Sequence, residues 1–541
     1  MPAFLNSSKN FFTLLFFLIF FLIGVYIFPD YGISIDEDNT RMIGFLSLEY
    51  IFNIFLPEHV TKINKITSVD GTAIGIGVIT SGIIFDLPMA FLELIFKIDD
   101  SRQYYLLRHF FNFFIFFVSV FFFFQLIKKR YNSWSLGILG TTFLLISPRI
   151  FANSFYNNKD LIFMSLFIIG LYTSINFLQK KDIKTAIIFA IVSSLMINLR
   201  ILGLILPLII FLIYTINILH EGNIKKKIKP LILFLILTPF LIILFWPYLW
   251  ANPIERFLYT LKSLSDHDLN IYNYYLGQHI STKYPPWHYS FVWILISTPL
   301  FYIMLFLIGF IFIVQRTIKR WLKSENNNSY LNLLRKNKEL QDIIFLSTFF
   351  IPILVSIYFG SISYDGWRHL YFIYPSFLLI AVLGLHLIKV FLLKRKNSLL
   401  YILSIILIIP TMFWMYKNHP FQYVYFNLLA GKNFNEKFEM DYFGVSNKSL
   451  LEYIIEKDDK KARIYNLSTT DLNLSKKILK KETREKIDIV DNINSADYIT
   501  NNYRDWNGIF EPTKFMIPKN FKIFYEIKVD GISINTIYKK Q

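Results

Sequence analysis

Apolar residues in this chain run on for long stretches, without the two-residue alternation of a half-buried strand. Runs that approach the roughly 20 residues needed to cross a bilayer lie at 11–28, 104–127, 134–147, 161–178, 185–199, 201–219, 231–250, 291–314, 341–359, 370–390 and 399–416. These eleven runs predict a polytopic α-helical membrane protein of about 11 spans. The 11–28 run is too long for a secretory h-region, and no small-x-small site follows it, so it reads as a retained first span. A further apolar stretch, 74–96, carries Asp86, Pro88 and Glu93 and predicts amphipathic helices lying along an interface.

Basic clusters follow alternate spans: Lys128–Arg130, Lys180/Lys181/Lys184, Lys225–Lys229, Arg316–Lys338 and Lys394–Lys396. Placing all five in the cytoplasm satisfies the positive-inside rule. The N-terminus is then cytoplasmic, the C-terminus is extracytoplasmic, and 74–96 does not cross. The same parity makes 185–219 two crossings with a tight turn near Arg200, and 315–340 a cytoplasmic surface helix. The first outer loop is 29–103.

After Tyr416 the pattern changes to mixed and charged. SNKSLLEYIIEK has a Ser cap and helical apolar spacing. RIYNL, IDIV, DYIT and KIFYEIKVDGISINTIYK read as strands, the last as a hairpin turning at Asp530-Gly531. The division predicted is a transmembrane domain over 1–416 and a small α/β extracytoplasmic domain over 417–541.

Composition agrees with the pattern: 54% hydrophobic residues and 58 Phe are far above a soluble domain. The net charge of +18 sits in clusters between apolar runs, which reads as membrane anchoring and not as a nucleic-acid surface. With no cysteine, disulfides, thiolate metal sites and a Cys nucleophile are excluded. No Walker A, G-x-G-x-x-G or G-x-S-x-G pattern is present, so nucleotide binding has no support.

The outer face collects the residues that carry chemistry. In YGISIDEDNTRMIGF (31–45), Asp36 or Glu37 could serve as general base for an acceptor hydroxyl, with Asp38 the solvated neighbour; the plainer reading is that these acids are all solvated or enforce topology. A carboxyl held at such an interface is desolvated, which raises its basicity. Arg149, Lys159, Arg200, Arg368 and His369, with Arg102 and Arg108, stand at outer ends of spans against the topology bias. Converging on a cavity they would hold a phosphate; singly they would snorkel to headgroups. His279 and His288 lie on the same face as metal or hydrogen-bond candidates, without diagnostic metal spacing. The aromatic segments WPYLWANP (246–253) and KYPPWHYSFVW (283–293) suit an interface belt or a sugar platform equally.

With sidedness assigned, IDEDNTRMIG, RQYYLLRHFFN, SPRIFANSFYNNKD, NLRILGL, WPYLWANP, PPWHYSFVWILISTPL, YDGWRHLYFIYPS, HPFQYVYFNLLAG and FEMDYFG together resemble the GT-C superfamily of integral-membrane glycosyltransferases. The resemblance is to its phospholipid-carrier-dependent branch, relatives of protein O-mannosyltransferases and of the lipid A aminoarabinose transferase. It implies an inverting transfer from a polyprenyl-phosphate sugar to a protein, lipid or glycan acceptor, at the outer side of the plasma (inner) membrane. It also implies Asp36 as base with Glu37 as helper, Asp160 as a second acid, and Arg200, Arg368 and Lys159 around the donor phosphate. The surrounding motifs depart from both named patterns, which leaves sugar and acceptor open. No cofactor is specified, and the acids and histidines leave a divalent cation open.

Two other readings use the same outer cations: a flippase or transporter for a lipid-linked saccharide, and a polymerase or ligase for surface polysaccharide. Transporters place charges near mid-depth, whereas here they gather at outer span ends. The polymerases and ligases lack the first-loop acidic motif.

Overall fold

The computed structural model describes residues 2–60, 63, 82–221, 224–263, 271–322, 337–361, 363–392, 397–458, 460–505 and 517–541. Residues 323–336 of the expected surface helix, Lys394–Lys396, and 74–81 of the expected interfacial stretch lie outside these.

Among the described residues nine helices are long and apolar enough to cross a membrane: Ser8–Asp30, Ser101–Tyr131, Asp160–Lys180, Ile201–Leu219, Lys227–Phe245, Leu300–Arg320, Asn337–Tyr358, Arg368–Leu392 and Ser398–Lys417. The bent pair Trp134–Leu145 and Pro148–Tyr156, turning through 70°, makes a tenth if it counts as one span. The molecule is a multi-pass membrane protein. Each of the eleven apolar runs is helical, but two do not span by length alone. Ile183–Leu199 is a shorter apolar helix, and the 134–147 run ends where Pro148 starts a new helix at an angle. A proline at that position presets the first turn and has no N–H to continue the preceding one. The 291–314 run is also interrupted: Tyr289–Ser297 and Leu300–Leu322 are separate helices, with Pro299 between them.

Aromatic stacking and close backbone approach hold the bundle. Phe177 stacks on Tyr214 at 4.6 Å, and Phe189 on Phe234 at 5.0 Å between ring centres. Leu300–Leu322 and Tyr374–Leu387 meet at Gly309 and Gly384. A β-carbon there would fall 2.2 Å from the Ile380 carbonyl oxygen and 2.0 Å from that of Leu305, so only glycine permits the contact. At one end of the bundle Arg130 and Arg316 converge on Asp342.

At the other end, the loop after the first span folds into the helix Ile35–Phe55. The described part of the 74–96 stretch forms Asp86–Ile95, which buries Asp86, Met89, Ala90 and Glu93 and leaves Phe91 and Ile95 exposed. At ten residues this helix is too short to span. Its buried acids are matched by Arg41 and Arg108 from the flanking helices.

A two-stranded antiparallel ribbon, β1 (Tyr272–Tyr275) and β2 (Gln278–Ser281), projects from the loop before Tyr289. The C-terminal region carries a five-stranded mixed sheet in the order β4-β3-β5-β7-β6: β3 is Ala462–Asn466, β4 Ile487–Ile489, β5 Tyr498–Asn501, β6 Phe521–Val529 and β7 Ile532–Lys540. β6 and β7 form the expected hairpin, with Asp530 and Gly531 both at positive φ, the geometry a two-residue turn between twisted strands requires. The helix Asn447–Lys457 lies where its apolar spacing puts it, but Ser446 does not cap it; its hydroxyl binds Asp441 instead.

Candidate active site

Four acids and four cations meet where the loop after the first span reaches the bundle end. Asp36 is the second residue of the Ile35–Phe55 helix, and Asp160 opens the Asp160–Lys180 helix. A helix N-terminus presents unbonded N–H groups and a positive dipole end, which favours acids there. Arg368 opens the turn that leads into its span, and Arg200 closes the Ile183–Leu199 helix.

The guanidinium of Arg368 is the hub. Its Nη1 donates to Asp36 Oδ2 at 2.5 Å and to Asp160 Oδ2 at 3.3 Å, while Nη2 lies 3.2 Å from Asp365 Oδ2. Tyr364 and Phe443 cover its faces. Arg200 pairs with the other oxygen of Asp160, and Asn157 donates to Asp160 Oδ2 at 3.1 Å. The side chains of Arg368, Asp160 and Asp365 are almost wholly buried, whereas that of Asp36 is 35% exposed. Asp36 is therefore the one acid on this arginine that opens to solvent.

The side chain of Lys159, at the start of the same helix, makes no hydrogen bond or ion pair with any described residue; its carbonyl accepts from the Phe163 N–H. Burial and the neighbouring Arg200 push its ammonium down to about 8, against the pull of Asp36, Asp160 and Asp86. A lysine in that state carries its charge at neutral pH and has donors to offer an incoming anion.

Glu37 is turned away from Asp36. One carboxylate oxygen accepts the Ser34 N–H at 2.7 Å, the reciprocal arm of a capping box, and the other meets Nε2 of buried His109 at 3.0 Å. Asp38, expected in solvent, accepts from the Tyr105 hydroxyl at 2.5 Å and pairs with Lys477 at 3.0 Å, because the C-terminal region folds back over it. Arg102 and Arg108 are held in the fold, by the Ile478 carbonyl and by Asp86 with Glu93 respectively.

Arg149 lies apart from the acids. Its Nε donates to the Tyr425 carbonyl at 3.1 Å, and Trp293 and Phe426 lie 5.2 and 4.7 Å from the guanidinium. His369 packs edge-on against Tyr364 beside the hub. His288 hydrogen-bonds the Tyr275 hydroxyl at 2.7 Å and touches Trp287, neither of them a member of the cluster. Among the described residues no three His, Asp or Glu side chains are gathered as metal ligands.

Three members of the site were not singled out in the sequence. Asp365 stands in SYDGWRHLY, three residues before Arg368; it and Gly366 both take positive φ, which Asp and Gly tolerate best and which turns the carboxylate back onto the arginine. Glu439 lies inside FEMDYFG. Arg504 follows β5 with no local motif to mark it, yet it binds both Asp365, at 2.6 Å, and Glu439. Burial raises both carboxyls, that of Glu439 to about 7, in spite of Arg504.

The family model described as dolichyl-phosphate-mannose-protein mannosyltransferase matches residues 87–246. Over those residues the chain resembles that family. The matched part includes Lys159, Asp160 and Arg200. No curated protein sequence matches the chain. Among solved structures, ArnT from Cupriavidus metallidurans bound to undecaprenyl phosphate aligns with 11% identity, a TM-score of 0.46 and 97% of each chain covered. The same ArnT in the apo state aligns at 10% identity and a TM-score of 0.49, covering 98% of each chain. The apo Archaeoglobus fulgidus oligosaccharyltransferase aligns at 10% identity and a TM-score of 0.45, covering 77% of this chain and 57% of its own.

Proposed function

We propose that this protein transfers a hexosyl or pentosyl group from a polyprenyl-phosphate donor to an acceptor hydroxyl or amine at the extracytoplasmic face of the plasma membrane. The observation that carries the reading is the half-exposed Asp36 on the buried Arg368, with Lys159 and Arg200 beside it.

In this scheme Asp36 accepts the acceptor proton as the acceptor atom attacks the anomeric carbon. The bond from that carbon to the phosphate oxygen breaks, the electron pair leaves with the polyprenyl phosphate, and the anomeric configuration inverts. Lys159 and Arg200 offset the charge that grows on the departing phosphate. Arg368, already shared among three carboxylates, orders the acids and does not serve as a free phosphate ligand. Glu37 anchors the helix start that presents Asp36. The N-terminus is cytoplasmic, and the C-terminal region from 417 onward is extracytoplasmic, as the distribution of basic loops supports.

The decisive experiment is transfer of radiolabelled sugar from a panel of polyprenyl-phosphate sugars in proteoliposomes, comparing wild type with Asp36→Asn. Transfer or donor hydrolysis that collapses in the variant supports the enzyme. Donors that stay intact yet move between leaflets in both proteins replace it with a flippase.

A further inference from the structure

The C-terminal region reaches the site with Phe443, on a face of Arg368, and with Glu439 and Arg504, of which Arg504 touches Asp365. Arg504 is held at its own backbone: its carbonyl accepts from the Thr469 N–H at 2.9 Å and from the Thr469 hydroxyl at 3.0 Å, and its N–H donates to Asn502 Oδ1 at 3.3 Å. From there the guanidinium joins Glu439 to Asp365, Asp365 joins it to Arg368, and Arg368 ends on Asp36 and Asp160. Charges alternate along the whole row. The side chains of Glu439, Arg504, Asp365 and Arg368 are at most 5% exposed, and only the Asp36 end is open.

Buried ions in contact are strongly coupled, because little solvent screens them. Asp365 has two guanidinium partners, and Arg368 has three carboxylates. If Arg504 is removed, Asp365 keeps only Arg368, and its undivided charge draws that guanidinium away from Asp36.

We propose that Arg504 is a positioning residue for Asp36: by engaging Asp365 it leaves Nη1 of Arg368 aimed at the exposed carboxylate. This gives the C-terminal region a part in the chemistry, and its kinetic arm rests on the reading of Asp36 as base. Besides Arg368 and Asp160, the charged or titratable groups facing Asp36 are Lys159, Tyr364 and Asp365.

The test uses the full chain in lipid nanodiscs and has two readouts. The first is the rate of carbodiimide labelling at Asp36, read by peptide mass spectrometry, which rises as a carboxylate loses its cation and needs no turnover. The second is sugar transfer. Arg504→Gln is expected to raise the labelling rate about fivefold and to lower kcat about tenfold with donor KM unchanged, the pattern of a displaced base. Asp365→Asn alone is expected to slow labelling, because Arg368 then has one rival carboxylate fewer. The double variant, Arg504→Gln with Asp365→Asn, is expected to return both readouts towards wild type. A structural role for Arg504 would produce no such rescue.

Unchanged labelling in Arg504→Gln, or a double variant as impaired as Arg504→Gln, overturns the proposal. Should Arg504→Gln fail to fold, Asp365→Asn decides it: slower labelling supports and unchanged labelling refutes. If the labelling pattern holds while wild type transfers no sugar from any donor, the glycosyl-transfer reading fails and the positioning of Asp36 stands.

Discussion

Arg368 Nη1 lies 2.5 Å from an oxygen of Asp36 and 3.3 Å from one of Asp160, so a single nitrogen joins the acid of the first loop to the acid that opens a span. The two carboxylates differ sharply in exposure, 35% against 1% at the side chain. One cation holds both, but only Asp36 is open to contact from outside the protein. Asp160, bound also by Arg200 and Asn157, has no such freedom.

On the proposed mechanism, replacing Asp36 removes the proton acceptor and leaves the donor site standing. Asp36→Asn should lower kcat about 10²–10⁴-fold with little change in thermal stability. Kinetics in proteoliposomes alongside a melting curve check both halves of the prediction.

Lys159 should limit donor capture at alkaline pH. Its ammonium, lowered to about 8 by burial and by Arg200, is charged below that value and neutral above it. Attraction for a donor phosphate is thus present at pH 7 and lost as pH rises through about 8. kcat/KM for the donor, which reports the free enzyme, should fall along that limb. Lys159→Arg, whose charge persists, should flatten it, and Lys159→Ala should weaken donor binding about 10–100-fold at pH 7.

Glu37 acts on Asp36 through the helix start. Glu37→Ala removes the acceptor for the Ser34 N–H and leaves buried His109 without its carboxylate. Loss of a cap costs about 0.5–2 kcal/mol, and an unpaired buried partner adds about 1–3 kcal/mol. Chemical denaturation in detergent should show a loss in that range, with transfer reduced in the folded fraction yet not abolished. An effect as large as that of Asp36→Asn, without loss of stability, would instead make Glu37 a direct participant.

Glu439 should make stability depend on pH. Its carboxyl is raised to about 7 by burial, above the value of about 4.3 for an unfolded chain. The folded state therefore holds a proton that the unfolded state gives up between those values, and stability falls as pH rises through that window. The melting temperature of wild type should decline from pH 5 to pH 8 more steeply than that of Glu439→Gln.

The apolar runs determined the helices, since a segment of that length and hydropathy has no other way to satisfy its backbone in a bilayer. The basic clusters determined a single consistent sidedness for the expectation, and Asp530-Gly531 with its flanking alternation determined the hairpin between β6 and β7. Asp36, Asp160, Arg200 and Arg368 were nameable because each stands next to a span end in a motif of unusual charge. Spacing along the chain could not reveal which of them touch. Arg368 and Asp36 are 332 residues apart, and nothing local distinguishes Arg368, in the hub, from Arg149, in an aromatic cage. Glu37 and Asp38 are neighbours of Asp36 in the chain, but the helix turns each to a different side, one towards His109 and the other towards Lys477. Arg504 had no signal at all, because its importance is a matter of where the five-stranded sheet rests on the bundle. Partner choice among buried charges is decided by distance in a medium that screens little, and that distance exists only once the chain has folded.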